Sequence, residues 1–220
     1  MTSLLFAEPS QFDAPFLERL LPFLPPEKQE GLKKICHARA RRESLLGWAL
    51  LLFAWQRRFP GEPLPPLAFS ESGKPRFSGD PFFFNLSHTD TLVCLALSET
   101  GEIGVDVQVL KLPSDPLVRR VLTPAEQAVF AASEEKALCF TRFWTLKEAL
   151  VKQTGEGLSR GLDTLDFAPF ATQDRFSAFG LQFASETVGS AAVSYCAAQL
   201  SPRVTEQFVT QQEMECLIRN

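Results

Sequence analysis

Apolar and polar residues alternate most cleanly along Ile103–Leu110. Ile103, Val105, Val107 and Val109 fall on one face of an extended chain, and Asp106 and Gln108 share the other. Phe82–Leu86 and Thr91–Leu97 also read as strands. Gly101 separates the last two of these three segments and suits a hairpin between them. Helical patterns flank this β region. Asp13 predicts an N-cap for a short helix through Leu21, before Pro22, Pro25 and Pro26. Glu27 to about Phe59 is helix-rich, with Gly31 as a break and Leu45–Trp55 as its buried core. Pro60–Pro66 is a loop, and Ser72-Gly73-Lys74-Pro75 is a turn. Thr123-Pro124-Ala125-Glu126 has the residues of a capping box and predicts a helix to about Ser133. A second helix is expected over Lys136–Gln153, ending at Gly155 and Gly157. Strands are expected near Phe176–Phe183 and Ala191–Gln199. Thr91–Ser98 (TLVCLALS) and Ser190–Ala197 (SAAVSYCA) echo one another, as two similar α+β halves would.

Composition narrows the class. The chain has 220 residues, 45% hydrophobic and 22% charged, so a sizeable core is affordable and wholesale disorder is excluded. A net charge of −4 removes the global basic footprint of a nucleic-acid binder. Lys28, Lys33, Lys34, Arg39, Arg41 and Arg42 nevertheless make one segment locally basic. The cysteines Cys36, Cys94, Cys139, Cys196 and Cys216 are odd in number and never spaced C-x-x-C, which points to reduced thiols and a cytoplasmic setting. Met1–Phe16 lacks the basic region of a signal peptide. The longest apolar run, Leu45–Trp55, falls well short of the about 20 residues a membrane helix needs.

Four pieces could carry chemistry. Ser87-His88 is no nucleophile–base pair, because neighbours on a strand point to opposite faces and no G-x-S-x-G elbow is present. His88 alone could be a backbone-bonded turn histidine. Asp106 and Gln108 could meet one metal ion, or could sit on a solvated edge face. Glu148 and Lys152, four apart, stack on one helix face, either as an exposed ion pair or as part of a site; Phe140, Phe143, Trp144 and Leu150 leave that helix few solvated faces. Gly73-Lys74-Pro75 is not a P-loop, which places Ser or Thr after the lysine. Taken together, two carboxylates suited to Mg²⁺ and several cations suited to phosphate point to a magnesium-bound diphosphate ligand.

The order of these motifs carries a resemblance. Gly73-Lys74-Pro75, Asn85-Leu86-Ser87-His88, Gly104-Val105-Asp106-Val107 and Trp144-x-x-Lys147-Glu148-Ala149-x-x-Lys152-x-x-Gly155-x-Gly157-Leu158 resemble the 4′-phosphopantetheinyl transferases of the surfactin-synthetase-activating type. A weaker match runs from Arg39 through Leu45-Leu46-Gly47. The resemblance implies an α+β fold of two similar halves related by a pseudo-two-fold, residues 1–105 and 106–220, with coenzyme A in the cleft between them. It implies transfer of the phosphopantetheine arm of coenzyme A to a serine of an apo acyl or peptidyl carrier protein, with release of 3′,5′-ADP. Asp106, Gln108 and Glu148 are the expected Mg²⁺ ligands, and Glu148 the expected base. Lys152 is expected at the pyrophosphate, and Arg39, Lys74, Ser87 and His88 at the nucleotide phosphates. Gly73 and Asn85 are expected to shape the adenosine pocket. Neither nucleic acid nor membrane is an expected partner, and an internally duplicated chain is expected to be a monomer.

Two positions depart from the family pattern. Gln108 stands where a second acid is common, so the third metal position falls to Gln108 or to water. That departure is the one support for an alternative, a catalytically silent coenzyme A- or carrier-binding module. Glu43 stands before Leu45-Leu46-Gly47 where a basic residue is common, leaving Arg39 or Arg42 to supply the charge. Glu126 is explained by the capping box and is not counted in the site.

Overall fold

The computed structural model describes residues 1–71, 73–155 and 161–218, so Ser72, Gly157 and Leu158 of the motifs lie outside the described residues. The chain is a mixed α+β protein with two sheet-containing halves. The first sheet has the order β10-β1-β5-β4, from β1 (Thr2–Ala7), β4 (Phe83–His88), β5 (Val93–Ser98) and β10 (Thr205–Phe208). The second has the order β6-β9-β8-β7, from β6 (Ile103–Val109), β7 (Arg175–Ala178), β8 (Leu181–Val188) and β9 (Ala191–Ala197). A ribbon of β2 (Leu67–Phe69) and β3 (Pro75–Phe77) stands apart.

The two sheets repeat a connection. In one, β1 leads to a long helix, α3 (Ala38–Arg58), and then to the β4–β5 hairpin, whose second strand pairs back onto β1. In the other, β6 leads to α6 (Lys136–Thr154) and then to the β8–β9 hairpin, whose second strand pairs back onto β6. The echoing segments are thus the two central strands. The last strand, β10, returns to pair parallel with β1.

Period-two alternation decides which side chains go where. Leu4, Phe6, Cys94 and Ala96 of the first sheet meet Ile103, Val105, Val107, Val193 and Tyr195 of the second in a shared central core. The alternate residues Leu5, Ala7, Val93 and Leu95 face α3 and the smaller helices α1 (Ala14–Leu20) and α2 (Pro26–Lys33). The alternate face of the second sheet, including Phe183 and Cys196, packs on Phe143, Leu146, Ala149 and Leu150 of α6. Each large apolar side chain sealed in these layers stabilises the fold by roughly 1.5–3 kcal/mol.

Gly104 sets how closely α6 can approach. A Cβ there would lie 2.0 Å from the Ala149 carbonyl oxygen and 2.6 Å from the Gln153 amide nitrogen. Only glycine lets the helix backbone rest on β6, and this contact carries Glu148 and Lys152 down to Asp106.

Several sequence readings hold. Asp13 caps α1 by accepting from the Phe16 amide at 2.6 Å. The capping box opens α5 (Pro124–Ala132) with both reciprocal bonds, and Gly155 ends α6 in the left-handed conformation at φ 71°. Others are corrected. The hairpin joins β4 to β5, not β5 to β6: β6 pairs with β9, and Gly101 lies on the crossing between sheets. The expected strand at Phe176–Phe183 is two strands, because Phe179 and Gly180, both at positive φ, form a tight turn within it. The break after Glu27 falls at Lys34–His37 and leaves Gly31 inside α2. β1, β2, β3, β10, α4 (Asp115–Val121) and α7 (Gln211–Ile218) were not anticipated.

Candidate active site

The site is built at the seam between the two sheets. β4 and β6 run side by side there, and side chains join them in place of a backbone ladder. Asn85 Oδ1 accepts from the Val105 amide at 2.9 Å, and Ser87 Oγ accepts from the Val107 amide at 3.1 Å. Each short polar side chain satisfies a buried donor that an edge strand would otherwise orphan.

Asp106 sits on this seam, 2% exposed, because the face opposite its valine neighbours is covered by α6 rather than by solvent. Its Oδ1 accepts from Ser87 Oγ at 2.9 Å and from Lys152 Nζ at 2.6 Å, and Lys152 also reaches Ser87 Oγ at 3.0 Å. Gln108 Nε2 lies 3.5 Å from Asp106 Oδ2. The half-buried Glu148 has no hydrogen bond or ion pair among the described residues. Burial, then the nearby Asp106 charge, push its carboxyl above the ordinary range, and Lys152 opposes the shift. Asp106, Gln108, Glu148, Lys152 and Ser87 are therefore brought together.

A second group lies beyond His88, whose side chain points away from Ser87 as neighbouring strand positions require. His88 Nδ1 is 3.3 Å from Glu43 Oε2, Arg39 Nε donates to Glu43 Oε1 at 2.9 Å, and an Arg39 terminal nitrogen lies 2.9 Å from Asp90 Oδ2. Arg39, Glu43, His88 and Asp90 line one side of a cleft of about 690 Å³ between the halves; Gln108, Phe140 and Trp144 line the other. The buried Trp144 Nε1 is a hydrogen-bond donor without a partner among the described residues. A larger cavity of about 930 Å³ lies elsewhere, beside Arg142 and Glu186, and none of the candidate residues lines it.

Three expected residues are placed apart. Lys74 is largely buried; it pairs with Glu102 and donates to the Ile103 carbonyl at 3.0 Å, at the opposite end of β6 from Gln108. Gly73 precedes it at φ +84° in the β2–β3 connection. Arg42 reaches back to the Pro9 carbonyl at 2.5 Å and to that of Phe12, so Arg39 is the arginine of α3 that faces the cleft. Sequence reasoning missed Glu43 and Asp90 as cleft residues. Glu43 stood out only as a departure, and Asp90 carries no local signal, since its position is set by the turn after β4.

The donor set suits a hard divalent cation. Two carboxylates and an amide oxygen are oxygen donors of the kind Mg²⁺ accepts with water and phosphate, and the unpartnered Glu148 carboxylate is the group an ion would satisfy. Among the described residues no group of three or more His, Cys, Asp or Glu side chains is placed to hold a metal.

The seam of the two-halved α+β scaffold thus offers an acid pair and a lysine beside a cleft. The sequence model of the 4′-phosphopantetheinyl transferase superfamily matches residues 102–198. The 4′-phosphopantetheinyl transferase Sfp of Bacillus subtilis strain 168 is 31% identical over 152 residues, 67% of each chain. The transferase AcpT of Escherichia coli K12 is 37% identical over 138 residues, 60% of this chain and 66% of the relative. AcpT of Salmonella typhimurium is 43% identical over 99 residues, which are 42% of this chain and 51% of that relative, so the chain spans only about half of that relative's length. The chain belongs to the 4′-phosphopantetheinyl transferase superfamily. No described helix is long and apolar enough to cross a membrane.

Proposed function

We propose that this chain transfers the 4′-phosphopantetheine arm of coenzyme A to a serine hydroxyl of an acyl or peptidyl carrier protein, with Mg²⁺, releasing 3′,5′-ADP. The carrying observation is Glu148: a half-buried carboxylate without a partner among the described residues, beside Asp106 and Lys152, on the wall between two similar halves. We read residues 1–105 and 106–220 as those halves, related by a pseudo-two-fold, working as a monomer in the cytoplasm.

The carrier serine oxygen forms a bond to the phosphorus that bears the pantetheine arm. The bond from that phosphorus to the bridging oxygen of the diphosphate breaks, and 3′,5′-ADP leaves with the electron pair. Glu148, beside the attacking oxygen, takes the serine proton. Lys152 moves from Asp106 toward the diphosphate and offsets the charge gathering on the leaving group. Asp106, Glu148 and Gln108 would hold Mg²⁺, which supplies charge neutralisation at the diphosphate when bound.

Incubation with coenzyme A, Mg²⁺ and a panel of apo carriers should add about 340 Da to a carrier, the mass of one transferred arm in a phosphoryl-group transfer. Glu148→Gln should slow transfer by roughly 10²–10⁴. Absence of any mass shift with every carrier, or full activity of the variant, defeats this reading. Release of 3′,5′-ADP separates the enzyme from a silent coenzyme A-binding module.

A further inference from the structure

Coenzyme A carries two anionic centres, and the chemistry assigns one of them. The diphosphate must lie at Asp106, Glu148 and Lys152, where its bond breaks. The 3′-phosphate is left for the basic groups of the adjoining cleft, Arg39, His88 and Lys111, of which Arg39 and His88 stand together beside Glu43. Both already have carboxylate partners. Glu43 holds Arg39 at 2.9 Å and His88 at 3.3 Å, and Asp90 holds Arg39 at 2.9 Å from the outer side.

Glu43 differs from a surface counter-ion in one respect. It is 7% exposed, on a helix turn packed into the core, so it cannot swing away when a phosphate arrives. Asp90, nearly half exposed, can move aside. An incoming phosphomonoester therefore meets a guanidinium and an imidazole together with one fixed negative charge.

We infer that Glu43 is a specificity-determining residue: by offsetting the charge of Arg39 and holding His88, it lowers the advantage of coenzyme A over its 3′-dephospho form. This inference rests on the coenzyme A reading above. A unit charge removed about 5 Å from a phosphate dianion, at a solvated cleft mouth with a water-like dielectric and physiological salt, corresponds to roughly a 3–10-fold change in affinity.

Titration calorimetry of the full chain with Mg²⁺ and no carrier tests this without reference to turnover. Glu43→Gln keeps the size of the side chain and its acceptor oxygen. It should tighten coenzyme A by about 3–10-fold and leave 3′-dephospho-coenzyme A within about twofold, so the preference ratio rises. Asp90→Asn, an exposed change that leaves the fold undisturbed, should raise the ratio by about twofold and covers the case in which the first variant does not fold. An unchanged ratio in Asp90→Asn and in a folded Glu43→Gln overturns the inference. Failure of the wild-type chain to bind either ligand overturns the coenzyme A reading itself, and the inference with it.

Discussion

Helix α6 presents two lysines five residues apart to two carboxylates, and the pairs have opposite character. Lys147 and Glu126 are both 0% exposed. Lys147 also donates to the Val121 carbonyl at 2.6 Å, while Glu126 accepts from the amides of Thr123 at 2.8 Å and Phe167 at 2.9 Å. Two of the three Lys147 N–H groups and both Glu126 oxygens are used within the fold. Burial pushes the Glu126 carboxyl up and the Lys147 ammonium down, and the pairing opposes both shifts. Lys152 and Asp106 are also in contact, but Lys152 remains 29% exposed and an unpartnered Glu148 lies nearby. A closed polar network fastens α6 to α5 and the segment before β7. An open one leaves capacity for a ligand and an ion.

The sharpest contrast comes from cutting each pair. Lys147→Ala strands a buried carboxylate and should cost roughly 3–5 kcal/mol, lowering the melting temperature by about 10 °C, with no recovery in Mg²⁺. Lys152→Ala leaves the Asp106 carboxylate with Ser87 still donating to it, in a site that an ion can enter. It should cost about 1–2 kcal/mol, and millimolar Mg²⁺ should restore part of that loss by binding the folded state. Equal responses of the two variants to Mg²⁺ in thermal unfolding would erase the distinction drawn here.

Gly104→Ala acts on the open pair through the backbone. It should push α6 away from β6 and cost about 1–3 kcal/mol, with transfer activity falling further than stability does. Parallel losses of activity and stability would show that close seating of the helix has no special role in placing Glu148 and Lys152.

The smallest effect should be a gain. The raised pKa of Glu148 means that folding disfavours its ionised form. The penalty is absent at pH below the ordinary carboxylate range and develops as pH rises through the elevated value. Glu148→Gln should therefore be more stable than the wild type by about 0.5–1 kcal/mol at neutral pH, the usual sign of a functional group held at some cost. The gap should close in acid. Denaturant titrations at pH 3 and pH 7.5 measure it, and a gap independent of pH would refute the assignment.

Alternation along Ile103–Val109 already placed Asp106 and Gln108 on one face, and the spacing of Glu148 and Lys152 placed them on one side of a helix. Local rules also captured the Asp13 cap, the capping box and the stop at Gly155, since each needs only neighbouring residues. Strand partners needed more. β5 and β6 look like a hairpin because a glycine lies between two apolar runs, but the core is better filled when they join different sheets, and distant β1 and β9 are what pair with them. Motif position could not tell Lys152, at the open seam, from Lys74, sealed against Glu102.

Residue order is enough to specify which groups share a strand or a helix face, because backbone geometry repeats every two or 3.6 residues. It carries no record of what approaches those faces from elsewhere in the chain. The packing of α6 on Gly104 buried Asp106 and brought Glu148 near it, and the arrival of α3 set Glu43 against His88 and Arg39 against Asp90. Charge, burial and proton affinity depend on such encounters, so they emerge only once the halves have closed on one another.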